Sequence, residues 1–84
     1  MRTRRASIQI IADILRLGEA GKTDIGLYAN LGYPQLDRYL EFLVKGGFLE
    51  RRERPVPRYQ VTPQGRELLE SICRVTEALE LGKA

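Results

Sequence analysis

Apolar and polar residues recur at helical spacing over much of this chain, and one such segment has well-marked ends. Pro34 suits the first position of a helix, and the Gly46-Gly47 pair can supply the left-handed residue that ends one. A helix is therefore predicted over about 34–45. Its apolar face carries Leu36, Tyr39, Leu40, Leu43 and Val44, and its polar face carries Pro34, Arg38, Glu41 and Lys45.

Two further helices are predicted before this one. The first runs from Ala6 or Ser7 to Leu17 and is ended by Gly18. It bears two apolar stripes, so the second stripe must pack on the C-terminal helix or on a partner chain. The stripes consist of Ile8, Ile11, Ala12 and Leu15, and of Ile10, Ile14 and Leu17.

The second helix is predicted over about 24–30, with Thr23 as its N-cap, after a loop at 18–21. Its inward-facing residues are expected to be Ile25, Tyr28 and Ala29. The segment 30–33 is a turn, because both Asn30 and Gly32 tolerate left-handed backbone.

A hairpin is predicted after the third helix, from two strands at 48–53 and 58–62 that are joined by a proline-stiffened loop. Tyr59 and Val61 alternate with polar residues, which is the period of a half-buried strand. Arginine is concentrated here, and this favours contact with phosphates or a minor groove. The alternative is a charged edge that blocks association between sheets. The arginines are Arg51, Arg52, Arg54 and Arg58.

The last helix is predicted to begin at Thr62-Pro63, as N-cap and first helical residue, and to end near Leu81 at Gly82. Apolar residues step along it by four, three and four positions, at Leu68, Ile72, Val75 and Leu79. This is the spacing of a coiled-coil seam. The pattern favours self-association over packing on the helix's own domain, and Cys73 is interpreted as a small apolar residue beside the seam.

Composition narrows the function. The chain has 84 residues, one cysteine and no histidine, so it lacks a disulfide framework, a clustered metal site and the commonest general base. We therefore expect no enzyme activity, cofactor or metal. No apolar run is long enough to span a membrane and no signal peptide is evident, so the expected location is the cytoplasm. Residues 1–62 hold 11 basic and 7 acidic residues (+4), whereas residues 63–84 hold 3 and 4 (−1).

Three helices, a basic hairpin and a terminal helix follow one another in the order of a winged helix-turn-helix. Residues 7–69 also resemble the small archaeal winged-helix DNA-binding proteins of chromatin. The segments that carry the resemblance are Ile11-Ala-Asp-Ile-Leu15, Lys22-Thr-Asp-Ile25, Ala29-Asn-Leu-Gly-Tyr33, Gln35-Leu36, Tyr39-Leu-Glu-Phe-Leu43, Gly47-Phe-Leu49 and Tyr59-Gln-Val-Thr-Pro-Gln-Gly-Arg66.

The resemblance implies a mainly α fold with a small β-hairpin: a three-helix core and a two-stranded wing in residues 1–62, and a dimerisation helix in residues 63–84. It further implies a homodimer joined by an antiparallel coiled coil. This dimer would bind double-stranded DNA, as a nucleoid-associated chromatin protein or as a transcriptional regulator. No small-molecule substrate is expected.

Particular side chains can be assigned to these roles. The helix at about 34–45 would enter the major groove, the wing at about 51–58 would lie on the backbone or in a minor groove, and the N-terminal arm would add phosphate contacts. The expected DNA-binding residues are Tyr33, Gln35, Arg38, Lys45, Arg52, Arg54, Arg58, Arg4 and Arg5. The expected dimerisation residues are Leu68, Ile72, Val75, Leu79, Ile10 and Ile14.

The family often has basic residues after the Gln-Leu pair, whereas in this chain Asp37 follows Gln35-Leu36 and precedes Arg38. Asp37 and Glu41 place negative charge beside a helix that should approach phosphates. Glu41 would pair with Lys45 or accept a hydrogen bond from a cytosine amino group. The acidic pair favours one alternative function, a protein-docking module without DNA binding. A second alternative is a sensor, a regulator whose DNA affinity responds to a small ligand or to oxidation of Cys73.

Overall fold

The computed structural model describes residues 7–83, with side chains described through residue 80. The chain is mainly helical and carries a small three-stranded antiparallel sheet, which confirms the predicted fold class. None of the helices in residues 7–83 has the length and hydrophobicity to cross a bilayer. The elements are α1 (Ser7–Arg16), β1 (Glu19–Ala20), α2 (Lys22–Ala29), α3 (Tyr33–Lys45), β2 (Leu49–Arg52), β3 (Arg58–Val61) and α4 (Pro63–Lys83).

The first three helices share one core, which the sheet and α4 extend. Its most deeply buried large side chains are Ile14, Leu15, Ile25, Leu36 and Leu43. Ile14 belongs to the second apolar stripe of α1 and is only 2% exposed, and α1 packs on α4. The protomer's own C-terminal helix therefore accounts for that stripe. Ile14 has almost no surface left for a partner chain, contrary to its assignment to a dimer interface.

The predicted two-stranded wing has a third strand. Residues Glu19–Ala20, expected to be a loop, form β1 and pair with β3, so the strand order is β1-β3-β2. Ala20 lies opposite Tyr59 and is buried. A two-residue strand shows no periodicity, and only its pairing with a distant segment defines it.

The start of α2 also differs from the prediction. The helix begins at Lys22 after Gly21, which serves as an N-cap residue without a side-chain hydrogen bond, so the assignment of Thr23 as the cap was wrong. Tyr28 was expected to face inward but is 53% exposed. Gly26 and Ala29 are buried instead, and a Cβ on Gly26 would lie 3.1 Å from Leu36 Cδ2. The small residues bring α2 close to α3.

One junction joins the end of α3, both long strands and α4. Gly47 has the left-handed backbone (φ +83°) predicted for this glycine pair. The Thr62 hydroxyl donates to the Gly47 carbonyl (2.5 Å) and accepts from the Gly65 N–H (3.0 Å), which confirms Thr62 as the cap of α4. This helix does not end at Gly82 but continues to Lys83, since one glycine costs a helix only about 1 kcal/mol.

Candidate nucleic-acid interface

The turn between α2 and α3 sets the direction of α3. Asn30 adopts the left-handed conformation (φ 59°) and caps α2, with its N–H directed at the carbonyls of Gly26 and Leu27. α3 then begins at Tyr33, next to Pro34, and buries Leu36, Leu40 and Leu43. Its opposite face is exposed along three turns. The exposed residues of α3 are Tyr33, Pro34, Gln35, Asp37, Arg38, Glu41, Phe42 and Lys45.

The centre of this exposed face carries alternating charge. Arg38 has no carboxylate within 4 Å among the described residues, so its guanidinium group is available to a ligand. Lys45 Nζ lies 3.4 Å from Glu41 Oε2, and both side chains are largely exposed. An exposed pair of this kind contributes only about 0.3–0.5 kcal/mol, so a phosphate can replace the carboxylate as the partner of Lys45.

Asp37 is neutralised by a residue from another element. Its Oδ1 lies 2.5 Å from Lys22 Nζ at the start of α2, and the same ammonium group lies 5.4 Å from the centre of the Tyr33 ring. The hydrogen bond to Asp37 is the main cause that raises the pKa of the Lys22 ammonium group. Both acidic residues of α3 are exposed but they differ in their partner: Asp37 pairs with Lys22 of α2, whereas Glu41 pairs with Lys45 of its own helix.

The arginines of the wing lie on two opposite faces. Arg52 of β2 lies directly opposite Arg58 of β3, so the two side chains share one face of the sheet. On this face Arg52 pairs with Glu50 (4.0 Å), and Arg58 pairs with Glu19 (3.3 Å). Neither of these two predicted DNA-binding residues lines the cleft beside α3.

Arg51 lies on the other face and was missed as a site residue. It stands opposite Tyr59 in the register, with its guanidinium carbon 5.9 Å from the ring centre, and it pairs with Glu53 (2.9 Å). A cleft of about 290 Å³ between α3 and the sheet is lined by Arg51, Glu41 and Lys45, among others. Because side chains two residues apart in a strand lie on the same face, the apolar Leu49 could have predicted that Arg51 lies on this face.

Arg54 lies in the exposed loop at the tip of the wing. Like Arg38, it has no carboxylate partner within the described residues, and Arg66 in the first turn of α4 is the third such cation in residues 7–80. Two of these three cations therefore occur on elements predicted to touch DNA. Arg4 and Arg5 of the predicted arm lie outside the described residues.

The residues of the predicted coiled-coil seam of α4 fall into a part that packs inside the protomer and a part that is exposed. Leu68 and Ile72 pack inside the protomer, as does the partly buried Ile10 of α1. Val75 and Leu79, by contrast, are 50% and 66% exposed. Only the second half of the predicted seam is therefore available to a partner.

Comparison with known proteins identifies the family to which this chain belongs. The family model described as "Winged helix-turn-helix" matches residues 4–80. The chain belongs to this family. An uncharacterized protein of Methanocaldococcus jannaschii is 28% identical over 81 residues, which cover 93% of this chain and 80% of the relative.

Among solved structures, the winged helix-turn-helix chain resembles Sso10a-2, which is described as a DNA-binding protein from Sulfolobus solfataricus. The TM-score is 0.77 at 30% identity, over 94% of this chain and 90% of the other. This match confirms the resemblance to small archaeal winged-helix proteins. The MarR family transcriptional regulator Sco5413 from Streptomyces coelicolor shares the fold at a TM-score of 0.76 and 24% identity, and the match covers 86% of this chain but 56% of the regulator.

Proposed function

We propose that this protein binds double-stranded DNA, with α3 in the major groove and the wing against the backbone or an adjacent minor groove. The observation that carries the proposal is the exposed face of α3 with Arg38 at its centre, beside a wing with Arg54 at its tip; neither arginine has a carboxylate partner in the part of the chain that the structure describes. The family membership and the likeness to the DNA-binding protein Sso10a-2 support the same function.

Several of the exposed side chains have a suitable partner on DNA. Gln35 would pair with adenine and Arg38 with guanine or a phosphate, while Tyr33 would contact DNA near the turn through its ring or hydroxyl. Lys45 and Arg51 would exchange their carboxylate partners for phosphates. Arg54 would meet the backbone, and Arg52 and Arg58 would do so from the other face of the wing.

Fluorescence anisotropy of a labelled duplex, titrated with protein at several salt concentrations, tests the proposal. We expect a binding constant that falls steeply with salt, with a log–log slope of about 0.9 for each phosphate neutralised. No affinity even at low salt would overturn DNA binding and favour the protein-docking module, for which a specific protein partner would then be sought.

The wing contact can be tested with one substitution. Arg54→Ala is expected to weaken binding to all sequences several-fold and to lower the salt slope by about one, since one phosphate contact is lost. Arg74→Ala is the matched control, because it removes the same charge from α4, where Arg74 pairs with Glu70. If both variants had the same salt slope as the parent protein, the wing would not touch the backbone.

We further propose that the protein forms a homodimer through the exposed half of the α4 seam and acts as a chromatin component or a transcriptional regulator. Val75 and Leu79 support this because both are large, apolar and exposed one helical turn apart. The double variant Val75→Glu/Leu79→Glu is expected to convert dimer to monomer at micromolar concentration in sedimentation velocity, since it buries two charges at the seam. Arg74→Glu, which adds an acidic residue off the seam, should remain dimeric; a monomeric parent protein would contradict the proposal.

A further inference from the structure

We propose that Glu41 determines sequence specificity by selecting a cytosine in the major groove. The inference rests on the proposed insertion of α3 into DNA, and it goes beyond it by naming a base and the side chain that recognises it. Glu41 lies on the exposed face of α3, and its side chain is 67% exposed. Among the described residues, its carboxylate has one ion-pair partner, Lys45 at 3.4 Å.

The face of α3 presents a donor, an acceptor and a donor in sequence. Arg38, Glu41 and Lys45 are separated by three and four residues, which corresponds to about 4.5 and 6 Å along a helix. Arg38 has no carboxylate partner among residues 7–80, and the ion pair between Glu41 and Lys45 is exposed, hence weak and easily exchanged. All three groups are therefore available to base edges or phosphates.

A carboxylate is a demanding group in the major groove. An ionised glutamate only accepts hydrogen bonds, whereas phosphate oxygens, guanine N7 and O6, and thymine O4 are acceptors too. The donors are the amino groups of cytosine and adenine. Adenine places its N7 acceptor beside the amino group and suits an amide such as Gln35, so cytosine is the better partner for Glu41.

Arg38 strengthens the choice of a guanine–cytosine pair. An arginine fork binds guanine O6 and N7, and cytosine presents its amino group on the other side of the same base pair. One turn of α3 thus carries the two side chains that suit the two halves of this pair.

Asp37 is a poor candidate for the same role. Lys22 from α2 holds its carboxylate at 2.5 Å, and the ring of Tyr33 lies against that lysine. A residue of α2 therefore partly compensates the negative charge of Asp37. Glu41 is the acidic residue of α3 that DNA must accommodate.

The test measures base preference rather than affinity alone. Selection from a randomised duplex pool would first give the preferred site of the parent protein. Anisotropy would then compare that duplex with one in which the selected cytosine is replaced by thymine, which offers an acceptor in place of the amino group. We expect the parent protein to discriminate about 10-fold, as a single good base contact does.

Glu41→Ala should reduce this discrimination by improving binding to the thymine duplex, the remainder being due to Arg38 on the purine of the same pair, and Glu41→Gln should shift the preference toward adenine. Glu77→Ala on α4 removes the same charge and should leave the preference intact. If Glu41→Ala instead tightened binding to every duplex by one common factor, Glu41 would be a repulsive charge only and the specificity role would be wrong. A parent protein that bound no duplex at all would overturn the proposed function together with this inference.

Discussion

Gly65→Ala is expected to lower the free energy of unfolding by about 3 kcal/mol, although it places a good helix former in a helix. Gly65 lies in the first turn of α4 against the backbone of Phe48. A Cβ there would lie 2.2 Å from the Phe48 carbonyl oxygen and 2.6 Å from Val61 Cγ2. Neither atom belongs to a flexible side-chain end, so α4 or the start of β2 must move.

Two opposing effects decide whether Gly65→Ala raises or lowers the free energy of unfolding. Replacing glycine by alanine inside a helix gains up to about 1 kcal/mol, and less in the first turn. The steric conflict also disturbs the hydrogen bond from the Thr62 N–H to the Phe48 carbonyl (3.1 Å) and outweighs that gain. A domain of this size has roughly 4–13 kcal/mol of stability, so the loss is a large fraction of it.

Urea unfolding followed by circular dichroism measures the change. Gly21→Ala is the matched control, because a Cβ on Gly21 would lie 3.8 Å from the nearest atom at an ordinary backbone conformation. It should cost well under half as much, mainly through the weaker N-cap. If Gly65→Ala had the same free energy of unfolding as the parent protein, α4 and Phe48 would be able to move apart without loss of stability, and the prediction would be wrong.

The same contact bears on function because it joins the wing to α3. The carbonyl of Gly47, two residues after the end of α3, accepts a hydrogen bond from the Thr62 hydroxyl, and the next residue, Phe48, contacts Gly65. The angle between the wing and the exposed face of α3 thus depends on a few short contacts around the start of α4. A shift there would separate Arg54 from Arg38 without altering either side chain.

Local chemistry explains why parts of this fold could be predicted from the sequence. Pro34 and the Gly46-Gly47 pair mark the ends of α3 to within one residue, since proline and glycine act through their own backbones. Thr62-Pro63 marks the start of α4 for the same reason. By contrast, β1 exists only because Glu19 and Ala20 pair with Gln60 and Tyr59, some forty residues away.

The candidate site also has features that the sequence could predict and features that it could not. Helical periodicity placed Arg38, Glu41 and Lys45 together on one exposed face. It could not show that Lys22, from a different helix, neutralises Asp37, because such a pairing depends on the angle between α2 and α3. Nor did composition show that most cations of the described chain already have a carboxylate partner, which sets Arg38, Arg54 and Arg66 apart from the other arginines of residues 7–80.

Arg38→Ala is expected to reduce affinity for the preferred duplex by roughly 10- to 100-fold, the largest effect of any single DNA-contacting residue here. Its guanidinium lies at the centre of the exposed face of α3 and has no carboxylate partner to lose among the described side chains. When Arg38 binds DNA, it therefore gains a new contact without losing an old one. Lys45, by contrast, must give up its ion pair with Glu41 to bind DNA. The same titration in anisotropy measures the loss.

Arg38→Lys separates base recognition from charge. Lysine keeps the positive charge but lacks the planar fork that binds guanine through two parallel hydrogen bonds. We therefore expect this variant to keep the salt slope of the parent protein while losing most of its preference for guanine at one position. If Arg38→Lys instead kept both the salt slope and the base preference of the parent protein, while Arg38→Ala lowered the slope by about one, Arg38 would meet a phosphate, and α3 would approach the groove with its N-terminal turn, where Gln35 lies, rather than with its centre.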